Sequence, residues 1–300
     1  MMKKILFAFI SVSMLCVSLN AQTPSTVTPT PEVDRKEAEF DKKFRFGIRA
    51  TPQPTWYKSN NNNSKGAGAV FGFGFGIIME FKLSQIIHFS TGVGGDFEGG
   101  YISYRNDPDF NVNAIITSEG EYVESKDGKF TPEQQFANGN TQYILKDRRF
   151  KTTFVSIPLM LKMLTEEYSG ARYFANAGLE LGIRAKTIAN DTYVSGVKAV
   201  VSGTQVTTPQ ADELTKSNIN IGKDASLVPL RLGMNLGLGM EYRLGGSTSL
   251  LFSANYFQSF TNLMRNDSRY LQKYTNPGIY DPLNQGYFMR AVRINIGLLF

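Results

Sequence analysis

From Lys43 to the C-terminus, apolar side chains return at every second position in one segment after another. In residues 70–81, VFGFGFGIIMEF, Phe71, Phe73 and Phe75 alternate with three glycines, and Ile77, Met79 and Phe81 continue the bulky series. Successive side chains on a strand point to opposite faces, so one face here is a wall of Phe, Ile and Met. The other is bare backbone running into Glu80 and Lys82. Glycine weakens a strand, so its repetition signals a need for space. The same period-2 pattern predicts eight strands, over 43–57, 69–82, 86–104, 151–164, 171–186, 227–244, 248–262 and 288–300. In the sixth, Leu230, Leu232, Met234, Leu236, Leu238 and Met240 oppose Arg231, Gly233, Asn235, Gly237, Gly239, Glu241 and Arg243. In the last, Val292, Ile294, Ile296, Leu298 and Phe300 oppose Arg293, Asn295 and Gly297.

The connections after strands two, four and six are short: LSQ, TEEYSG and GGS. Those after strands one, three, five and seven are longer, and two of them (105–150 and 187–226) exceed thirty residues. Long structureless loops are uncommon in compact soluble domains. They are ordinary on the outer side of a transmembrane barrel, whose inner turns are short. The expected fold is therefore all-β: an eight-stranded antiparallel up-and-down transmembrane barrel over 43–300, with short periplasmic turns and long extracellular loops.

Alternation alone does not say which face is inside, because a soluble lipocalin-like barrel also alternates, with its apolar face inward. Three features favour the opposite sense. The apolar face of most strands is free of charge over about the nine to eleven positions a bilayer-crossing strand needs. Glycine falls on the polar face, where a narrow lumen must hold long side chains. Aromatics sit near strand ends (Trp56, Tyr57, Phe81, Tyr101, Tyr104, Tyr173, Tyr242, Phe257, Phe260), as in interfacial girdles. Phe71, Phe73, Phe75, Leu232, Leu236, Ile296 and Phe300 are accordingly read as lipid-facing. Arg45, Arg49, Glu80, Lys82, Asp96, Glu98, Glu180, Arg184, Arg231, Glu241, Arg243 and Arg293, with Lys162, are read as a lumen network. An unpaired buried charge is costly, so a structural salt-bridge network is the expectation. The basic excess also suits an anion-selective pore, and both pore and plug fit the sequence. Pro158 removes one N–H from the fourth strand, and a bulge is expected beside it.

The N-terminus reads as a secretory signal over 1–21: Lys3 and Lys4, an apolar core, and Ala21 before Gln22. The single cysteine, Cys16, lies inside that core, so the mature chain would have neither disulfide nor thiol chemistry. Residues 22–42, Thr/Pro-rich and then charged, read as a flexible periplasmic leader. Formal net charge is +6, of which Lys3 and Lys4 supply two units, and no basic tract suggests nucleic-acid binding.

Catalytic chemistry has little support. His88 is the only histidine and falls just after the LSQ turn, at the periplasmic rim, where it reads as a polar lumen residue rather than a general base. One histidine cannot make a histidine metal site, and no calcium-loop pattern occurs. GVGG (92–95) and FGFGFG lack the following helix a nucleotide site requires. No cofactor, metal or enzymatic activity is expected. The expected partners are outer-membrane lipid and, through loops 105–150 and 187–226, envelope or surface components.

FVSIPLMLKM (154–163) resembles the IPL-x-LK strand of the PorT-like outer-membrane β-barrel family of Bacteroidota, and YFANAGLELGIRAK (173–186) is similar to that family's next strand. The closing RINIGLLF resembles the terminal strand by which outer-membrane barrels engage the barrel-assembly machinery. The resemblance implies an eight-stranded barrel in the outer membrane of a Gram-negative bacterium. For some members it implies a part in type IX secretion or gliding, and the chain departs from those members in its long second and third outer loops.

Overall fold

The computed structural model describes residues 42–300, apart from 108, 125–129, 132–133, 135–138, 202–203, 222–226, 265–267, 276–278 and 284; side chains are not described at 195–201, 204–212 and 279–280. The expected signal segment, and the leader up to residue 41, lie outside the described residues. The strands are β1 (Phe44–Ser59), β2 (Ser64–Lys82), β3 (Ile87–Tyr104), β4 (Phe110–Ile116), β5 (Thr141–Leu164), β6 (Ala171–Val201), β7 (Thr204–Asn220), β8 (Leu230–Gly245), β9 (Thr248–Ser259), β10 (Gln272–Thr275), β11 (Ile279–Pro282) and β12 (Tyr287–Leu299).

Eight of them form a closed ring in which each strand pairs antiparallel with the next, in the order β1, β2, β3, β5, β6, β8, β9, β12. β12 returns to β1, with Gly47 opposite Leu299 and Ala50 opposite Ile296. Closure leaves the ring without an edge, which removes the template for aggregation that an open sheet presents. At one end lie the short turns between β2 and β3, β5 and β6, and β8 and β9.

The other end departs from the expected picture of structureless loops. The fourth ring strand begins at Thr141 rather than 151, and the fifth runs on to Val201 rather than 186. β7 pairs along the extension of β6, β4 along that of β5, and β10 and β11 continue outward from β4. The expected long connection after β1 is only residues 60–63, because β1 and β2 both run past their predicted ends. One physical reason covers these misses. Beyond the apolar belt the outer face meets water, so the alternation that betrays a strand fades while its backbone ladder continues.

The bulge expected near Pro158 does not fall at the proline itself. Pro158 stays in register opposite Glu180 on β6. The β3–β5 ladder instead pauses between the Thr91–Leu159 and Gly94–Ser156 pairs without changing register. Thr91 Oγ1 donates to the Pro158 carbonyl at 2.8 Å, so a side chain supplies a bond where the missing N–H interrupts the ladder. Register shifts fall elsewhere, between Thr153 and Phe154 on β5 and between Gly68 and Phe73 on β2.

Candidate functional site

The interior is built in layers, each set by strand parity. Towards the short-turn end, Ile78, Leu164, Phe174, Leu251 and Leu299 form a small apolar cluster. Beside it lies a ring of four charges. Arg45 donates to Glu80 (2.6 Å) and to Glu241 (2.8 Å), and Lys162 donates to Glu80 (2.6 Å) and to Glu241. Two cations and two carboxylates alternate, each touching both opposite charges, and all four are at most 3% exposed. His88 is buried next to them, with Nδ1 3.8 Å from Glu80 Oε2, beyond hydrogen-bonding reach.

Above this ring is an amide layer. Asn255 donates to Asn176 and Asn235 at 2.9 Å, Asn295 donates to Asn255 at 3.0 Å, and Thr51 donates to Asn295 at 2.8 Å. A cavity of about 60 Å³ lies among these groups, reaching Glu80, Lys162 and Arg49. Glycines on neighbouring strands clear the volume: a Cβ at Gly237 would fall 2.4 Å from the Asn255 amide, and one at Gly182 3.0 Å from Arg231 Nε.

A second four-charge ring follows. Arg231 donates to Glu98 and to Glu180 (2.8 Å), and Arg293 to Glu98 (2.8 Å) and Glu180 (2.5 Å), while Arg293 Nε donates to Gln53 Oε1 (2.7 Å). Asp96 alongside accepts from Ser156. Aromatic rings then cover the guanidiniums, with Arg231 4.2 Å from the Phe154 ring centre and Arg293 4.3 Å from that of Phe257. Such faces attract a desolvated cation. The two charge rings are each neutral, and Asp96 is a further buried carboxylate beside the second.

Eight of the twelve predicted network residues fall in these layers, as does Lys162. Arg45, Glu80 and Glu241 lie in the first ring, Glu98, Glu180, Arg231 and Arg293 in the second, and Asp96 beside it. Arg49 reaches only Asn295, at 3.4 Å. Arg243 is half-buried at the rim and pairs with Glu167 from the β5–β6 turn. Lys82 and Arg184 are half-buried and belong to neither ring. Three predicted girdle aromatics face inward instead: Phe257 is fully buried, Tyr104 is buried with its hydroxyl donating to Gln285 at 3.0 Å, and Tyr57 packs on Phe150 and Tyr287 with ring centres 5.6 and 6.5 Å apart. Parity could have found all three, since Phe257 shares a face with Ser253 and Asn255, Tyr57 with Arg45 and Thr51, and Tyr104 with Asp96 and Glu98. Phe154, which carried no sequence assignment, shares a face with Ser156 and Lys162.

Outside, Phe71 (75%), Phe73, Phe75, Leu232, Leu236 and Ile296 are exposed, and Phe300 packs beside Phe46 on the outer wall. The exposed apolar positions circle the barrel and end at Phe71 on β2, Phe97 on β3, Val155 on β5 and Ile183 on β6. Monomeric soluble proteins do not leave a continuous patch of this extent in water.

Beyond that belt the polarity reverses. Ile102, Val112, Ile115, Leu145, Tyr193, Leu271, Leu283 and Met289 pack inside a hydrophobic cap. Arg148 grips Asp191 with two bonds of 2.7 and 2.6 Å, and the hydroxyls of Tyr122 and Tyr193 donate to the same carboxylate at 2.5 and 2.8 Å. Burial raises the Asp191 carboxyl above its ordinary pKa, with Arg148 acting the other way.

A closed ring with an apolar outer belt and a charged, filled lumen defines a membrane-type β-barrel. No protein-family model matches the chain, and no curated relative does. Among solved structures, the chain is similar to Neisserial surface protein A (11% identity, 86% of this chain and 96% of that one, TM-score 0.36). It is also similar to the outer membrane protein OprG of Pseudomonas aeruginosa (10%, 87% and 98%, 0.38). A third likeness is to the outer membrane protease OmpT of Escherichia coli (10%, 86% and 96%, 0.31). At these identities and scores, the fold rests on the strand ring itself.

Proposed function

We propose that the chain is an integral outer-membrane barrel of a Gram-negative bacterium that works through its cap, as an interaction or attachment protein, with the lumen as a structural keel. The observation that carries this reading is the filling of the lumen: two neutral charge rings, an amide layer and an aromatic layer follow one another across the belt. A passive channel needs a continuous wet path, and this succession speaks against one. The exposed Phe and Leu belt speaks against a soluble ligand carrier. The signal segment, the periplasmic leader and delivery by the barrel-assembly machinery belong to the same reading. The test is single-channel recording in planar bilayers together with partner capture. Wild type should give no discrete openings, and a variant lacking residues 105–140 should lose partners that the full chain retains. Steady openings by wild type would overturn the keel.

A second reading, an accessory of a secretion or gliding machine, rests on the FVSIPLMLKM strand. Stable co-purification with that machine's other components would favour it.

A further inference from the structure

At the upper border of the apolar belt, the outer wall carries a depression of about 550 Å³ between β2, β3, β5 and β6. One side is Phe71, Phe73 and Phe97. The other is cationic: Arg149 and Lys151 on β5 and Lys186 on β6. The register explains how these come together. Phe97 lies opposite Thr153, Gly99 opposite Lys151 and Tyr101 opposite Arg149 across β3 and β5, and Thr153 lies opposite Lys186 across β5 and β6. Gly99 has no side chain, so the floor between the phenylalanines and Lys151 stays low. The β2–β3 ladder is also interrupted between Gly68 and Phe73, which widens the depression at the same height.

Among the described residues the three cations have no acidic partner. Arg149, Lys151 and Lys186 form no ion pair among the described residues; Arg149 stacks 5.3 Å from the Tyr101 ring centre, and its Nε has no acceptor. The one carboxylate lining the depression, Glu98, is already held by Arg231 and Arg293 in the lumen. Three cations above three phenylalanines, at the level where the belt gives way to water, match a molecule with a phosphate head and acyl chains. Arginine and lysine suit phosphate oxygens, while the apolar wall suits the chains.

We infer that this depression is a binding site for a phosphorylated, acylated lipid of the surrounding membrane, held by Arg149, Lys151 and Lys186 at its head and by Phe71, Phe73 and Phe97 along its chains. The inference rests on the membrane reading above. Its contribution would be to fix the height and rotation of the cap relative to the bilayer.

The full-length protein, folded in detergent, is incubated in separate samples with lipid A, phosphatidylcholine and inorganic phosphate, and retained molecules are counted by native mass spectrometry. Wild type should retain lipid A at least fivefold more than phosphatidylcholine. Lys151→Gln with Lys186→Gln should abolish that preference. Lys58→Gln with Lys65→Gln removes the same charge from exposed positions elsewhere and should keep it. Equal retention by all three proteins, or equal loss in both double variants, would overturn the site. Inorganic phosphate retained as well as the lipid would mark an anion site and also overturn it. Heat-modifiable gel migration is read on every sample. A folded, inserted barrel without lipid preference defeats the site alone, whereas a chain that never inserts defeats the membrane reading as well.

Discussion

Within the belt, the barrel is apolar outside and charged inside; in the cap, it is polar outside and apolar inside. The same strands cross from one regime to the other. On β5, Val155 points outward into the belt while Arg149 and Lys151 point outward above it; on β6, Ile183 gives way to Lys186. The change coincides with a register shift at Thr153/Phe154 against Lys186/Arg184, where one extra residue on β6 re-aims the side chains that follow. What sets the inside of a barrel is therefore what lies outside it. Where the outside is hydrocarbon, the hydrophobic effect offers nothing to the interior, and paired charges and amides can fill it. Where the outside is water, the interior is an ordinary apolar core.

The largest effect should come from breaking a charge ring. Arg231→Met leaves Glu98 and Glu180 with one cation between them, and should cost about 3–5 kcal/mol, the usual penalty for stranding a buried charge. Urea unfolding of the folded barrel should show that loss, together with the unheated compact band failing at a lower temperature.

In the cap, Leu145→Ala should cost about 2–5 kcal/mol as a core cavity does. That loss should be local: faster protease nicking near 105–140, with the compact band preserved. Equal weakening of band and cap by both variants would erase the distinction between the regions.

Leu236→Arg, at an exposed position within the belt, should cost about 2–4 kcal/mol in a bilayer. Titrating its folding in lipid vesicles measures the penalty, which should vanish if that wall faces water. Gly237→Ala forces a Cβ against the Asn255 amide and should cost about 1–3 kcal/mol through overpacking of the amide layer. Lys146→Gln, which removes an exposed ion pair with Glu213 on the cap's outer face, should leave the unfolding midpoint unmoved.

Period 2 made the eight ring strands legible, because each has one face in contact with something apolar and the other with something polar. It located the charges of both rings, since Arg45, Glu80, Glu98, Glu180, Arg231, Glu241 and Arg293 all lie on the minority-apolar face of their strands. It could not pair them, because the pairing depends on strand tilt and register around the ring. The cap escaped for a different reason. β4, the start of β5 and the end of β6 mix Asn, Thr, Asp and Tyr with apolar residues, so the two faces hardly differ in composition. Tyr57, Tyr104 and Phe257 show a third limit: aromaticity near a strand end suggested the outside, while parity places all three inside, Phe257 against the Arg231 and Arg293 guanidiniums.

The most direct measurement is a spin-label scan of the outer wall in lipid bilayers, on a Cys16→Ser background. Single cysteines would replace Leu232, Leu236 and Leu238 in the belt, and Lys58 and Lys146 on the cap. Each label would be tested for collision with oxygen, which concentrates in hydrocarbon, and with a water-soluble nickel chelate. The belt labels should meet oxygen and escape nickel, and the cap labels should do the reverse. If the belt labels meet nickel as readily as the cap labels do, that wall faces water and the account is wrong.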